Sequence, residues 1–207
     1  MTTSLPNIIT AIQNTINANA DEVAELDRAI GDGDHVVNLQ RGLDALNNVS
    51  EELTTMNWSA AFMKIGMTLM STMGGASGSL FGTLFVSMGK AAKGQELDLT
   101  AFSEIFSQGV ESVKKRGKAD LGEKTMLDTL IPVANSLQAD AASNAPLAVT
   151  LDNAKAVAIV GMESTKDMIA TKGRASFLGE RAIGHIDAGA RTSQLMICAI
   201  ADVLDSH

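Results

Sequence analysis

Three carboxylates fall within eight residues in Leu26-Asp27-Arg28-Ala29-Ile30-Gly31-Asp32-Gly33-Asp34-His35-Val36-Val37-Asn38, with two glycines between them. Like charges this close repel unless cations sit among them, and an oxygen-only donor set without cysteine suits Mg²⁺ or Ca²⁺ better than Zn²⁺. Magnesium sheds its water reluctantly and is usually held by a few carboxylates together with substrate phosphates, so the cluster implies a phosphate-bearing ligand. An EF-hand is excluded, because the twelfth position counted from Asp32 is Leu43 where that loop requires a closing Glu. The alternative is a solvated acidic turn between helices, since Asp and Gly are favoured in turns.

Two further stretches carry residues suited to phosphate. In Met73-Gly74-Gly75-Ala76-Ser77-Gly78-Ser79-Leu80-Phe81-Gly82-Thr83 small residues precede a resumed helix, whose free N–H groups can cradle an anion. No Gly-Lys-Ser/Thr follows, so it is not a Walker loop, and Gly74, Gly78 and Gly82 have the alternative use of letting two helices pack closely. The second stretch, Thr171 to Gly189, breaks the helical rhythm for about nineteen residues, and long loops of this kind tend to be functional. Its Arg174, Arg181 and His185 have the reach and charge for phosphate, Arg being suited to offset the charge that spreads over a transferring phosphoryl group. A solvated network of surface charges is the alternative there, and Asp187 has the alternative of capping a turn. The basic run Lys114 to Lys118 fits a helix C-terminus, with Gly117 as the stop.

These segments need elements to hold them, and the periodicity is helical throughout. Ile8, Ile9, Ile12 and Ile16 recur at helical spacing behind Ser4 as N-cap and Pro6 in the first turn, and Val23, Leu26 and Ile30 continue that face. Further stripes run through Val36 to Leu46, Trp58 to Met73, Leu84 to Met88, and Phe102 to Val113 behind Thr100 as cap. Others start near Glu123 with Pro132 inside, after Pro146 as far as Ile169, and from Thr192 to Leu204. Eight patterns without convincing period-two runs predict an all-α chain. Mostly short links favour antiparallel neighbours, so a bundle or barrel can gather the acidic loop, the glycine turn and the late loop at one end.

At 207 residues and 45% hydrophobic the chain suits a single domain over 1–207. A net charge of −8 with 3% aromatic residues argues against a nucleic-acid partner. Met1-Thr2-Thr3-Ser4-Leu5-Pro6 lacks a basic and an apolar region of a signal peptide, and no apolar stretch is long enough for a membrane, so a cytoplasmic location is expected. The single Cys198, in an apolar run, reads as a buried thiol without function.

Five blocks, in order, resemble one family. Asp27 to His35, Gly74-Gly75-Ala76-Ser77-Gly78, Arg116-Gly117-Lys118-Ala119, Glu123-Lys124-Thr125-Met126, and Lys172 to Arg181 with Gly184-His185-Ile186-Asp187 are similar to the nucleotide-binding L subunit of dihydroxyacetone kinase. The resemblance implies an eight-helix antiparallel up-and-down barrel whose loops at one end hold ADP or ATP through two Mg²⁺ ions. It implies Asp27, Asp32 and Asp34 as metal ligands, and His35, Val36, Val37, Asn38, Ala76, Ser77, Gly117, Met126, Arg174, Asp187, Ala188 and Gly189 around the nucleotide, with Arg174 stabilising the transferring phosphoryl group. It further implies two partners: a K subunit that holds dihydroxyacetone covalently on its own His, and an M subunit, a phosphotransferase-system protein that rephosphorylates bound ADP. A free-standing subunit of an ATP-dependent kinase for another small ketose and a nucleotide-state sensor acting on a transcription regulator use the same pocket; a carboxylate-cluster phosphohydrolase and a homodimer also stand as readings. Val36 replaces the family's usual Gly and Ala188 its usual Pro, so an added side chain near the phosphates, a freer adenine-side loop and weaker retention of ADP are expected.

Overall fold

The computed structural model describes residues 4–206; Met1, Thr2 and Thr3 of the expected leaderless start lie outside them. Among the described residues nine α-helices follow the apolar stripes: α1 Leu5–Ala18, α2 Ala20–Ile30, α3 His35–Leu53, α4 Trp58–Thr72, α5 Gly75–Ala91, α6 Leu99–Gly117, α7 Leu127–Ser143, α8 Leu147–Ser164 and α9 Ala188–Asp205. Two 3₁₀ pieces, Thr165–Asp167 and Arg174–Ala182, lie between α8 and α9.

The first stripe is two helices, because Asn19 breaks it. Its backbone leaves the helical region at φ −110°, ψ 13°, and its side-chain amide donates to the Thr15 carbonyl at 2.8 Å, taking an acceptor that the helix end leaves open. Other boundaries move for similar local reasons. Asp98 rather than Thr100 caps α6, accepting the Ala101 N–H at 2.7 Å. The helix expected from Glu123 starts at Leu127, because Lys118, Gly122 and Lys124 all adopt positive φ and turn the chain between α6 and α7. Ser4 occupies the N-cap position of α1 without a side-chain cap bond.

Each of α3 to α8 packs on the next helix in the chain, α1 packs on α3, and α9 closes the ring on α1. Eight helices thus form an antiparallel up-and-down barrel, filled by side chains such as Ile16, Leu53, Ile105 and Leu127. The short α2 is the ninth, lying against α3, α9 and the Arg174–Ala182 segment. Glycine brings α4 and α5 together: a Cβ on Gly66 would stand 2.6 Å from the Val86 nitrogen and 2.8 Å from the Gly82 carbonyl. Close helix packing therefore accounts for Gly82, while Gly74 and Gly75 remain at the turn. Cys198 is half-buried and accepts a hydrogen bond from Gln194 at 3.2 Å. Among the described residues no helix is long and apolar enough to cross a membrane.

Candidate functional site

The acidic cluster forms where α2 stops and α3 starts. Gly31 N–H returns to the Asp27 carbonyl at 2.5 Å, and Gly33, at φ 77°, turns the chain through a conformation that side chains rarely adopt. The first N–H of α3, on His35, then donates to Asp27 Oδ2 at 3.0 Å, tying the two helix ends together. As a result one carboxylate oxygen from each of Asp27, Asp32 and Asp34 lies within 4.8 Å of the others. Such an all-oxygen set fits a hard divalent cation. Arg174 reaches over it from the 3₁₀ segment, its Nε 2.6 Å from Asp32 Oδ2.

His35 fastens three helices beneath this cluster. Thr192 Oγ1 gives its proton to the Ala188 carbonyl at 3.0 Å, so at 2.9 Å it accepts from His35 Nε2–H, and Nδ1 accepts from the Ser77 hydroxyl at 2.9 Å. Burial holds the imidazole below its ordinary pKa, against the pull of Asp27, Asp34 and Asp32. Both ring nitrogens are spent on protein partners, which makes His35 a neutral strut rather than a base.

The opposite wall comes from the turn before α7 and the start of α9. Asp128, fully buried, accepts Gly122 N–H at 2.5 Å and Thr125 N–H at 2.8 Å, shaping that turn. Lys124, itself buried, donates its ammonium to the Thr165 carbonyl and, at 2.5 Å, to that of His185. Thr165 Oγ1 in turn accepts Asp187 N–H at 3.1 Å, and Asp187 caps α9 by accepting Ala190 N–H at 2.8 Å. Burial, with help from the negative charges of Asp128 and Asp27, pushes the Asp187 carboxyl up to about 6.

Between these walls lies a cavity of about 320 Å³, lined by Asp27, Asp32, Asp34, His35, Asn38, Ala76, Ser77, Met126, Arg174, Asp187, Ala188 and Gly189. Most of the residues expected from the sequence are thus brought together. Gly117 lies instead in an adjoining cavity of about 380 Å³ with Leu80, Val113, Ala119 and Leu127, and Met126, Leu80 and Ala76 border both. Val36 and Val37 do not line the cavity: the Val36 side chain belongs to the hydrophobic core, not to the phosphate side where it was expected, and that of Val37 is exposed. What the two can offer is a first-turn N–H. Ala188 is buried, and the Asp187 cap and the Thr165 bond hold the chain there. Arg181 and His185 fall outside the lining; Arg181 turns to the Leu178 carbonyl at 3.4 Å and His185 contributes only its own carbonyl to Lys124.

The lining also includes Lys124, Thr125, Lys172 and Gly173, which sequence reasoning did not name as site residues. For Lys172 a signal existed, a cation beside the glycine that precedes Arg174; for Lys124 none did, because nothing local marks a lysine as buried.

A helical barrel here gathers an acidic triad, helix starts and an arginine at one mouth, an arrangement with the donors to hold a divalent cation beside a phosphate ester. The chain belongs to the DAK2 domain family, whose model matches residues 29–202. It is 40% identical to the PEP-dependent dihydroxyacetone kinase 1, ADP-binding subunit DhaL, of Listeria innocua, covering 89% of this chain and 88% of that one. It is 38% identical to the corresponding Escherichia coli K12 subunit, covering 96% and 95%. The crystal structure of the dihydroxyacetone kinase from C. freundii in complex with AMP-PNP and Mg²⁺ superposes with a TM-score of 0.75 at 25% identity, over 97% of this chain and 34% of that one.

Proposed function

We propose that this chain is the nucleotide-binding subunit of a dihydroxyacetone kinase. It holds ADP or ATP with two Mg²⁺, passes a phosphoryl group to dihydroxyacetone on a partner K subunit, and has its ADP recharged in place by a phosphotransferase-system M subunit. The observation that carries this reading is the oxygen set of Asp27, Asp32 and Asp34 facing Arg174 across one cavity. Identity of 38% and 40% to subunits named PEP-dependent, against 32% to the rat triokinase/FMN cyclase, favours recharging by a phosphoprotein over exchange with free ATP.

The three carboxylates would hold the cations, which when bound neutralise the phosphate oxygens and polarise the group in transfer. The first-turn N–H groups of α5, at Ala76 and Ser77, point an uncompensated helix start at the phosphate tail. Met126, Leu80 and Val113 offer an apolar slot of suitable size for the base in the adjoining cavity. Arg174, on an exposed 3₁₀ segment beside Asp32, would offset the charge that spreads over the transferring group. His35 orients the helix starts and takes no proton.

The test is phosphoryl transfer to dihydroxyacetone by purified K, M and this chain. The wild type is expected to support turnover and Asp32→Ala to lower it at least a hundredfold; a fully active Asp32→Ala chain overturns the proposal.

A further inference from the structure

The two cavities adjoin at a neck walled by Ala76 and Leu80 of α5, the turn before α7 and the start of the late loop, and among the described residues Lys172 is the one cation that lines both. The other cations lining either cavity each have a closer protein partner. Arg174 is paired with Asp32 at 2.6 Å, Lys124 gives its ammonium to the Thr165 and His185 carbonyls, and Arg116 donates to Ser79 Oγ at 2.8 Å. Lys172 has only a long pair, its Nζ 3.6 Å from Glu123 Oε1. That glutamate is already well occupied: Oε1 accepts the Thr171 hydroxyl at 2.6 Å and Oε2 accepts Asp120 N–H at 2.6 Å. Glu123 therefore fixes the backbone of both loops at the neck and leaves the Lys172 ammonium with donors to spare, on a side chain that keeps 38% of its surface exposed.

We propose that Lys172 is a phosphate ligand at this neck, holding the phosphate nearest the sugar of a bound nucleotide. This rests on the nucleotide reading of the site and deepens it. One cavity is walled by carboxylates suited to cations and the other by Leu80, Val113, Met126 and Leu127, suited to a flat apolar base. A ligand that fills both must pass its sugar-to-phosphate link between them, and an ammonium there meets a phosphate as a charge-assisted partner without needing a metal ion. Lys172 would thus separate nucleotides from nucleosides, while the acidic triad acts on the distal phosphates.

The experiment is calorimetric titration of the nucleotide-free chain with ADP, AMP and adenosine, in Mg²⁺ and in EDTA, for wild type, Lys172→Met and Lys172→Arg. Lys172→Met is expected to weaken AMP and ADP about tenfold in either buffer, to leave adenosine within twofold, and to be largely rescued by Lys172→Arg. Unchanged AMP and ADP binding overturns the assignment, and so does an equal loss for adenosine, which marks a collapsed neck. A wild-type chain that binds none of the three overturns the nucleotide reading itself, and with it the role of Lys172.

Discussion

Asp187→Asn isolates the cost of the carboxylate that caps α9. The amide keeps an oxygen to accept Ala190 N–H but cannot ionise, so the substitution removes the charge and spares the cap. Burial raises the folded-state pKa to about 6, above the ordinary carboxyl value of the unfolded chain, so the folded state binds the extra proton. Stability of the wild type therefore falls as pH rises from about 4 to about 6, and the cost is fully present above that window. A shift of that size is worth about 3 kcal/mol at most, and about 2 kcal/mol is expected because Asp187 lines the cavity and is half-buried as a residue. For a chain of this size that is about 4–8 °C in Tm. Thermal melts in EDTA without nucleotide are expected to show wild type and Asp187→Asn together near pH 4 and the variant above by that amount at pH 7.5. Parallel Tm curves across the range would refute the reasoning.

Two other perturbations follow from the geometry. Arg174→Gln frees Asp32 from its 2.6 Å partner, so the nucleotide-free chain should bind Mn²⁺ several-fold more tightly by calorimetry or electron paramagnetic resonance. Phosphoryl transfer by the same variant should drop about a hundredfold or more, since an arginine at the transferring group is commonly worth that much; tighter metal binding with unimpaired transfer would deny Arg174 its role. Gly66→Ala puts a methyl 2.6 Å from the Val86 nitrogen, so α4 and α5 must part, and urea denaturation should show a loss of about 2–4 kcal/mol.

The gathering of Asp27, Asp32, Asp34 and Arg174 was the most legible feature, because few structural needs explain three carboxylates around two glycines, or an arginine in a long loop. The helices were legible from their apolar spacing, yet the spacing could not show that α9 returns to α1; ring closure was implied by the resemblance. Asn19 escaped notice because Val23 and Ile30 keep the phase of α1 across the break, and periodicity does not register a one-residue interruption. The direction of the Val36 side chain is not legible, because a position beside the loop carries no sign of which way it turns; in the first turn of α3 it is buried in the core. Lys124 was invisible since its burial depends on two carbonyls 41 and 61 residues away in the chain.

The most direct measurement is native mass spectrometry of the freshly purified chain in Mg²⁺, followed by acid release and identification of any nucleotide. A cofactor-like kinase subunit should carry one ADP and two Mg²⁺ per chain. A chain that is empty, and stays empty after incubation with Mg²⁺ and either ADP or ATP, would contradict nucleotide binding at this site.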